Sequence, residues 1–112
     1  MKSEFIHLHN HSDNSLLDGA QNIPSVLETI TDLGMDSVAL TEHGNLFGAV
    51  SFYKKAKDNN IKPIIGCEVY VAKGSRFQKD RSSGMGQYNH LVLIAQNSVS
   101  YTHLRAHETV TY

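Results

Sequence analysis

The segment Ser37–Asn45 (SVALTEHGN) decides how we interpret the fold, because an apolar run ends there in polar and turn-forming residues. Ser37–Thr41 is predicted to be a buried strand, and the four residues that follow break it. Pro24 suits the first turn of a helix before this strand, and Gly34 suits the C-terminal stop of that helix. The apolar side chains between them repeat at helical spacing, at Ile23, Val26, Leu27, Ile30 and Leu33.

The alternation of helix and strand continues after this segment. A second helix is predicted from about Leu46 to Asn59, with apolar side chains on one face. Pro63–Ala72 (PIIGCEVYVA) is a β-rich run, and Gly66 within it marks either a bulge or a point where another group approaches closely. The centre of the chain therefore predicts helix, strand, helix and strand in that order.

The outer parts of the chain add two strands and one loop. Phe5–His9 is a short apolar-rich run and is predicted to be the first strand. Lys73–Gln87 is polar and contains glycine, so a loop is expected there. Leu91–Ala95 (LVLIA) is predicted to be the fourth strand. Ser98–Tyr112 has sparse apolar residues and predicts no clear element, although a short helix is compatible with it.

The predicted order is β-α-β-α-β-loop-β, which is typical of the α/β class. Strands that alternate with helices of this length are expected to pair in parallel through right-handed crossovers. Four strands are few for a complete α/β domain, because parallel sheets are usually covered on both faces. Barrels of this class have about 250 residues, so this chain of 112 residues is expected to be the first part of something larger.

The composition excludes several classes of protein. The formal net charge is −1 with both signs interspersed, which argues against a basic nucleic-acid arm or an acidic tail. The single cysteine, Cys67, excludes internal disulfides and a cysteine-rich zinc finger, and it favours the reducing cytoplasm. No secretory signal is recognisable, and no apolar run approaches the roughly 20 residues that span a bilayer, so we expect no membrane association.

Histidine is the unusual residue of this chain, with seven copies, four of them in the first 43 residues. His9 and His11 lie just past the first predicted strand. Glu42 and His43 lie just past the second, and Glu68 lies within the third. Because ligand-binding groups of parallel α/β folds gather at the C-terminal ends of the strands, we expect these side chains to converge on one mouth.

The residue types at this mouth predict a metal site. His9 and His11 are two positions apart, and on an extended segment this spacing puts both rings on the same side. With Asp18, His43 and Glu68 they form a mixed nitrogen and oxygen set, which suits zinc, manganese or iron better than calcium. A carboxylate can also bridge two metals about 3.5–4 Å apart, the geometry of two-metal phosphate hydrolysis.

Several of these residues have simpler interpretations. His7 is more readily structural, or a residue that supports the ligands, than a ligand itself. Asp18 precedes a glycine and on spacing alone is a turn residue, while His90 precedes a predicted strand and on position alone is structural. Glu42 can be a helix-start carboxylate or a partner that orients a histidine. Glu68 is more informative, because a buried carboxylate needs a partner and a metal is a suitable one.

Four segments carry a resemblance to a known family. They are residues 7–20 (HLHNHSDNSLLDGA), 39–56 (ALTEHGNLFGAVSFYKKA), 61–77 (IKPIIGCEVYVAKGSRF) and 88–97 (YNHLVLIAQN). Together they closely resemble the polymerase and histidinol phosphatase (PHP) domain found at the N-terminus of bacterial DNA polymerase III alpha subunits. We therefore expect residues 1–97 to be the N-terminal portion of a PHP domain and residues 98–112 to be an atypical tail that departs from the family pattern.

The resemblance implies a distorted (β/α)7 barrel with up to three divalent metals. It implies metal-ligand roles for His9, His11, Asp18, His43, Glu68 and His90, the first five of them also catalytic through the metals. Glu42 departs mildly from the family, where an aspartate is usual, and is expected to support the ligands as His7 does. The family also carries later ligands, a cysteine or histidine and then an Asp-x-His pair, which lie beyond the sequence of this chain.

The leading functional hypothesis is a fragment of a DNA-directed DNA polymerase, a nucleotidyltransferase of DNA replication that uses Mg²⁺. Its PHP domain is implied to be a hydrolase, a metal-dependent 3′–5′ exonuclease that uses Zn²⁺, Mn²⁺ or Fe²⁺. The isolated fragment is expected to be inactive, and its partners to be DNA and other replisome subunits. One alternative is a free-standing PHP phosphatase acting on a small phosphomonoester such as histidinol phosphate. Another is a metal-stabilised docking module without catalysis.

Overall fold

The computed structural model describes residues 4–15, 19–75 and 88–108, and these residues form an α/β fold. The elements in chain order are α1 (Ile23–Asp32), β1 (Ser37–His43), α2 (Ala49–Asp58), β2 (Lys62–Ala72), β3 (Tyr88–Ile94) and α3 (Ser98–Glu108). The predicted alternation from α1 to β2 is confirmed. Among the described helices, none is long and apolar enough to cross a membrane.

Helix α1 begins and ends at the residues that its sequence indicates. The side chain of Asn22 accepts a hydrogen bond from the backbone N–H of Ser25, which satisfies one of the free donors of the first turn. Pro24 occupies that turn, where its missing N–H costs nothing. Gly34 follows the helix with a φ of 74°, a left-handed conformation that glycine adopts without strain.

Within the described residues the sheet has three strands in the order β1-β2-β3. Strands β1 and β2 are parallel, as predicted, and their register runs from Ser37 opposite Lys62 to His43 opposite Glu68. Strand β3, which follows the predicted loop and not a helix, is antiparallel to β2, so the expected parallel pairing through helical crossovers does not extend to it. The physical reason is the connection: a parallel pair needs a crossover, usually a helix, and the sequence of residues 73–87 lacks a helical pattern.

The predicted first strand, Phe5–His9, was also wrong as an element, because only a single parallel bridge joins His7 to Val38 there. Asn10 explains the interruption. Its backbone N–H donates to the hydroxyl of Thr41, and its side-chain amide donates to the carbonyl of Ala39. The carbonyl of Asn10 also accepts from the backbone N–H of Thr41 at 2.9 Å, and these bonds together hold residues 7–10 against β1.

The main core lies between the sheet and the two helices α1 and α2. Val38 and Leu40 of β1 are buried against it. Leu27 of α1 and Phe52 and Ala56 of α2 pack there, each no more than 2% exposed. Burying large apolar side chains of this kind stabilises a fold by about 1.5–3 kcal/mol each. This core fixes β1 relative to both helices.

The outer strand β3 leaves apolar side chains uncovered. Leu91, Leu93 and Ile94 are between 37% and 47% exposed. Leu91 and Leu93 share one face of the strand and Ile94 lies on the other, because successive side chains of a strand point to opposite faces. The described residues therefore leave both faces of β3 partly exposed.

Helix α3 occupies most of the segment for which the sequence predicted no clear element. Its first turn is capped, because the side-chain oxygen of Asn97 accepts from the backbone N–H of Ser100 at 3.0 Å. Leu104 is buried in a small cluster with Leu46 and Cys67, so the short helix that the sequence left open is the observed structure. The proposed boundary between residues 97 and 98 stays a prediction.

Gly66 lies in β2 where groups of both neighbouring strands approach the backbone closely. It pairs with Thr41 on one side and Ile94 on the other in continuous register, so of the two predicted interpretations the bulge is not observed. A Cβ atom at this position would collide with the carbonyl oxygen of Leu93 and would lie 3.0 Å from Cγ2 of Thr41. Close approach of neighbouring groups is therefore the reason for glycine here.

We predict that Gly66→Ala destabilises the fold by about 1–3 kcal/mol, because an added methyl group overpacks a rigid part of the sheet. The free energy of unfolding from urea titration measures the effect. Lys62→Ala is the control in the same strand, since Lys62 is exposed and its truncation is expected to change the stability by no more than about 0.5 kcal/mol. Equal stability of Gly66→Ala and the unmodified chain would contradict the prediction.

Candidate metal centre

Three elements and one extended segment bring the histidines to a common point. Residues 7–10 run beside β1, and this pairing carries His9 and His11 to the C-terminal end of the strand. His43 is the last residue of β1, and it lies directly opposite Glu68 of β2 in the parallel register. These four side chains converge at one edge of the sheet, as predicted.

The carboxylate of Glu68 is the centre of the group. Its Oε2 atom lies 3.0 Å from Nε2 of His11, 3.0 Å from Nδ1 of His43 and 3.3 Å from Nε2 of His9. Its Oε1 atom lies 3.3 Å from Nδ1 of His90. Nitrogen atoms from four histidines thus surround a single carboxylate whose side chain is 7% exposed.

The donor set fits a metal ion on two counts. Oε2 of Glu68 is buried and makes no hydrogen bond with any described residue, although four imidazoles surround the carboxylate. Nε2 of His9 and Nε2 of His11 are 3.1 Å apart, and ligand atoms that share a zinc ion at about 2.0–2.2 Å lie about 3.0–3.5 Å from one another. This distance therefore fits two ligands of one zinc ion, and it also fits a hydrogen bond between the two rings.

The ligand atoms form two groups that have Glu68 in common. One group is His9, His11 and Glu68, and the other is His43, Glu68 and His90; within each, the ligand atoms lie within 4.8 Å of one another. Oε2 faces the first group and also His43 of the second group, whereas Oε1 faces His90. Since a carboxylate has two oxygens, this arrangement can hold two metal ions with Glu68 between them.

The electrostatics of the site favour the charged form of Glu68. Burial raises the pKa of its carboxyl group, since desolvation penalises a charge. The contacts of the carboxyl group with His9, His43 and His11 act in the opposite direction and outweigh burial, so the net pKa lies below its ordinary value. The histidines therefore keep Glu68 as a carboxylate, the form that binds metal.

His90 joins the site for a reason that its position in the sequence did not reveal. It lies near the start of β3, where a parallel strand would place it at the far end of the sheet. Because β3 runs antiparallel, His90 is opposite Tyr70 of β2, at the same edge as the end of β1. The strand-end argument did not cover His90, because this residue precedes its strand; the antiparallel direction of β3 nevertheless places it beside Glu68.

Two other predicted site residues make their described contacts outside the group of histidines around Glu68. The ring of His7 packs edge-on against Phe5, with ring centroids 4.8 Å apart. Glu42 is buried at 1% exposure and its carboxylate accepts hydrogen bonds from serines, with no ring nitrogen among its described partners. Asp18 lies outside the described residues, and its ligand role stays a prediction.

Two residues at the site were not anticipated. The ring of Tyr70 is nearly parallel to that of His43, with an interplanar angle of 6°, and meets His90 edge-on at 5.0 Å. Its position two residues after Glu68, on the same face of β2, was the available signal. Ser15 is buried, and its hydroxyl lies 3.4 Å from Nδ1 of His11. Nothing in the spacing of Ser15 distinguishes it from a turn residue.

The family model described as PHP domain matches residues 7–107 of the chain. The DNA polymerase III subunit alpha of Borreliella burgdorferi is 48% identical over 111 residues, covering 99% of this chain and 10% of that protein. The protein of the same name from Mycobacterium tuberculosis is 45% identical over 114 residues, covering 91% of this chain and 10% of the relative. The chain thus spans about a tenth of the length of these curated relatives.

A solved structure shares the fold at much lower identity. The crystal structure of a putative metal-dependent phosphoesterase from Bifidobacterium adolescentis superposes with a TM-score of 0.63 at 14% identity, covering 95% of this chain and 34% of that chain. The convergence of four histidines on one carboxylate, the match over residues 7–107 and the polymerase relatives lead to one conclusion. The chain belongs to the PHP domain family.

Proposed function

We propose that this chain is the first part of a metal-dependent phosphoesterase domain, of the 3′–5′ exonuclease type. The single observation that carries the proposal is the placement of nitrogen atoms from four histidines within 3.3 Å of the buried Glu68 carboxylate. Imidazole and carboxylate ligands together suit Zn²⁺, Mn²⁺ or Fe²⁺. A carboxylate that only forms a structural ion pair does not need four histidines around it, whereas a metal-binding carboxylate shares its ion with several such ligands.

The residues of the chain have distinct tasks in this proposal. Glu68 belongs to both ligand groups and links them. The neutral nitrogen ligands around it come from His9, His11, His43 and His90. Asp18 is proposed to add a carboxylate ligand. When bound, divalent metals would polarise a phosphodiester and lower the pKa of a water molecule that attacks it. His9 and His90 are about half exposed, so a substrate can approach the centre from their side.

We propose further that the parent protein is a DNA polymerase III alpha subunit, a DNA-directed DNA polymerase that uses Mg²⁺. The relatives at 45–48% identity that carry this name support the proposal. DNA and other replisome subunits are then its partners, and the cytoplasm is its location. The isolated chain is expected to be inactive, because the PHP pattern places further ligands beyond its sequence.

We predict that the chain binds zinc or manganese and that the double variant His9→Ala/His11→Ala binds less. The first ligand group loses two of its three members in this variant, whereas the second group, His43, Glu68 and His90, stays intact. Elemental analysis of both purified proteins after dialysis against metal gives the stoichiometry. The expected result is loss of the metal that the first group holds.

His7→Ala is the matched control for the double variant. His7 is an exposed histidine two residues before His9, and its ring lies against Phe5 rather than Glu68. It should retain the full metal content. The same metal content in all three proteins, or none in any of them, would count against these histidines as ligands in this chain.

A second prediction concerns Glu68→Gln, which keeps the shape of the side chain and removes its charge. Because both ligand groups share Glu68, this variant should lose more metal than the double histidine variant does. Isothermal titration with Zn²⁺ measures the affinity, and the expected loss is at least about 10-fold. Glu28→Gln, on the exposed face of α1, is the control. Unchanged affinity in Glu68→Gln would refute the shared role.

A further inference from the structure

Tyr70 is an aromatic residue at the rim of the candidate metal centre. It follows Glu68 by two positions in β2, so both side chains lie on the same face of the strand. In the antiparallel register Tyr70 stands directly opposite His90 of β3, and their rings meet edge-on with centroids 5.0 Å apart. Nδ1 of His90 lies 3.3 Å from Oε1 of Glu68. One histidine ring therefore separates the ring of Tyr70 from the central carboxylate.

The ring of Tyr70 is held in a defined orientation. Its plane is nearly parallel to that of His43, at 6° with centroids 6.4 Å apart, while His90 meets it at 74°. A Cβ atom at Gly44 would lie 3.8 Å from Cε2 of Tyr70, so a longer side chain there would begin in contact with the ring. Because the neighbouring rings already orient Tyr70, a planar ligand that stacks on it loses little additional side-chain entropy.

Tyr70 also presents aromatic surface to solvent. It is 53% exposed, and the side chain of His90 beside it is 52% exposed. The side chain of Glu68, two residues earlier on the same face, is 7% exposed. The centre therefore has a buried carboxylate with an accessible aromatic ring next to it. A ligand that approaches from the side of His90 would meet the ring of Tyr70.

We propose that Tyr70 stacks against the base of a nucleotide whose phosphate is bound at the metal centre. The inference rests on the proposed phosphoesterase function and deepens it by assigning the residue that recognises the base. A 3′–5′ exonuclease releases a nucleoside 5′-monophosphate, in which one sugar joins the base to the phosphate. With the phosphate at the ligands around Glu68, the base lies beside the centre, where the ring of Tyr70 is accessible.

Different groups then bind the two ends of the nucleotide. The carboxylate of Glu68 repels a phosphate, so the phosphate binds only when a divalent cation reverses the local charge. Tyr70 acts on the base alone. Stacking on an aromatic side chain tolerates every base, because each base has a π-face. Tyr70 therefore distinguishes a nucleotide from a phosphate that carries no aromatic ring, and it does not select one base among the four.

The test compares two ligands that differ in the base, 2′-deoxyadenosine 5′-monophosphate and 2-deoxyribose 5-phosphate. Each is titrated calorimetrically into the chain loaded with Zn²⁺. We expect the nucleotide to bind the unmodified chain about 5–150-fold more tightly than the sugar phosphate does. Tyr70→Ala should remove this difference and leave the affinity for the sugar phosphate unchanged. Tyr70→Phe keeps the aromatic face and should retain the difference.

Tyr53→Ala is the matched control. Tyr53 lies on α2 and is 49% exposed, close to the exposure of Tyr70, and its described ring contact is with Nζ of Lys57 at 5.7 Å. This variant should retain both affinities. Proton NMR gives a second readout: the H2 and H8 signals of the adenine should move upfield on binding to the unmodified chain and to Tyr70→Phe, because a stacked ring shields them.

The possible outcomes separate this inference from the proposed function. Equal affinities of the unmodified chain for the two ligands, or a preference for the nucleotide that survives in Tyr70→Ala, would overturn stacking and leave the metal centre standing. If Tyr70→Ala bound both ligands more weakly and had lost zinc by elemental analysis, Tyr70 would be a structural part of the centre, and stacking would again be wrong. Failure of both ligands to bind the unmodified chain with Zn²⁺ would overturn the proposed metal centre together with this inference.

Discussion

The buried carboxylate of Glu68 is the constraint on which the site depends. A carboxylate at this depth is costly unless positive charge or hydrogen-bond donors surround it, and here nitrogen atoms of four histidines do so. Its position is set by the parallel register of β1 and β2, which places it opposite His43. The two helices that bury the inner face of β1 therefore also fix the positions of His43 and Glu68.

Much of this arrangement could be predicted from the sequence because it follows from local patterns. Helical spacing before Gly34 and the apolar run Ser37–Thr41 each specify one element, and strand ends bring His9, His11 and His43 together. Relations between distant segments were harder to predict. The antiparallel direction of β3, and hence the place of His90, depends on a connection whose sequence shows only that no helix joins the strands.

The first segment shows a different limit of sequence interpretation. Phe5–His9 has the composition of a strand, but beyond the bridge at His7 the segment is held to β1 through the carbonyl of Asn10, which accepts from the backbone N–H of Thr41, and through the Asn10 side chain. The contacts of Ser15 were equally hidden, because a serine in a polar stretch has many unremarkable explanations. Its hydroxyl donates to Glu42 and accepts from the backbone N–H of His43. Such contacts between distant segments are properties of the folded chain and leave no periodic trace in the sequence.

Residues 7–10 make few backbone contacts with β1, and this has a kinetic consequence. This segment carries His9 and leads directly to His11, yet its described attachments to the core strand are one β-bridge, two backbone hydrogen bonds and a few side-chain bonds. Segments with so few backbone contacts open and close more often than central strands do. A bound ion would then exchange during brief local opening of residues 7–10, while the strands of the sheet stay paired.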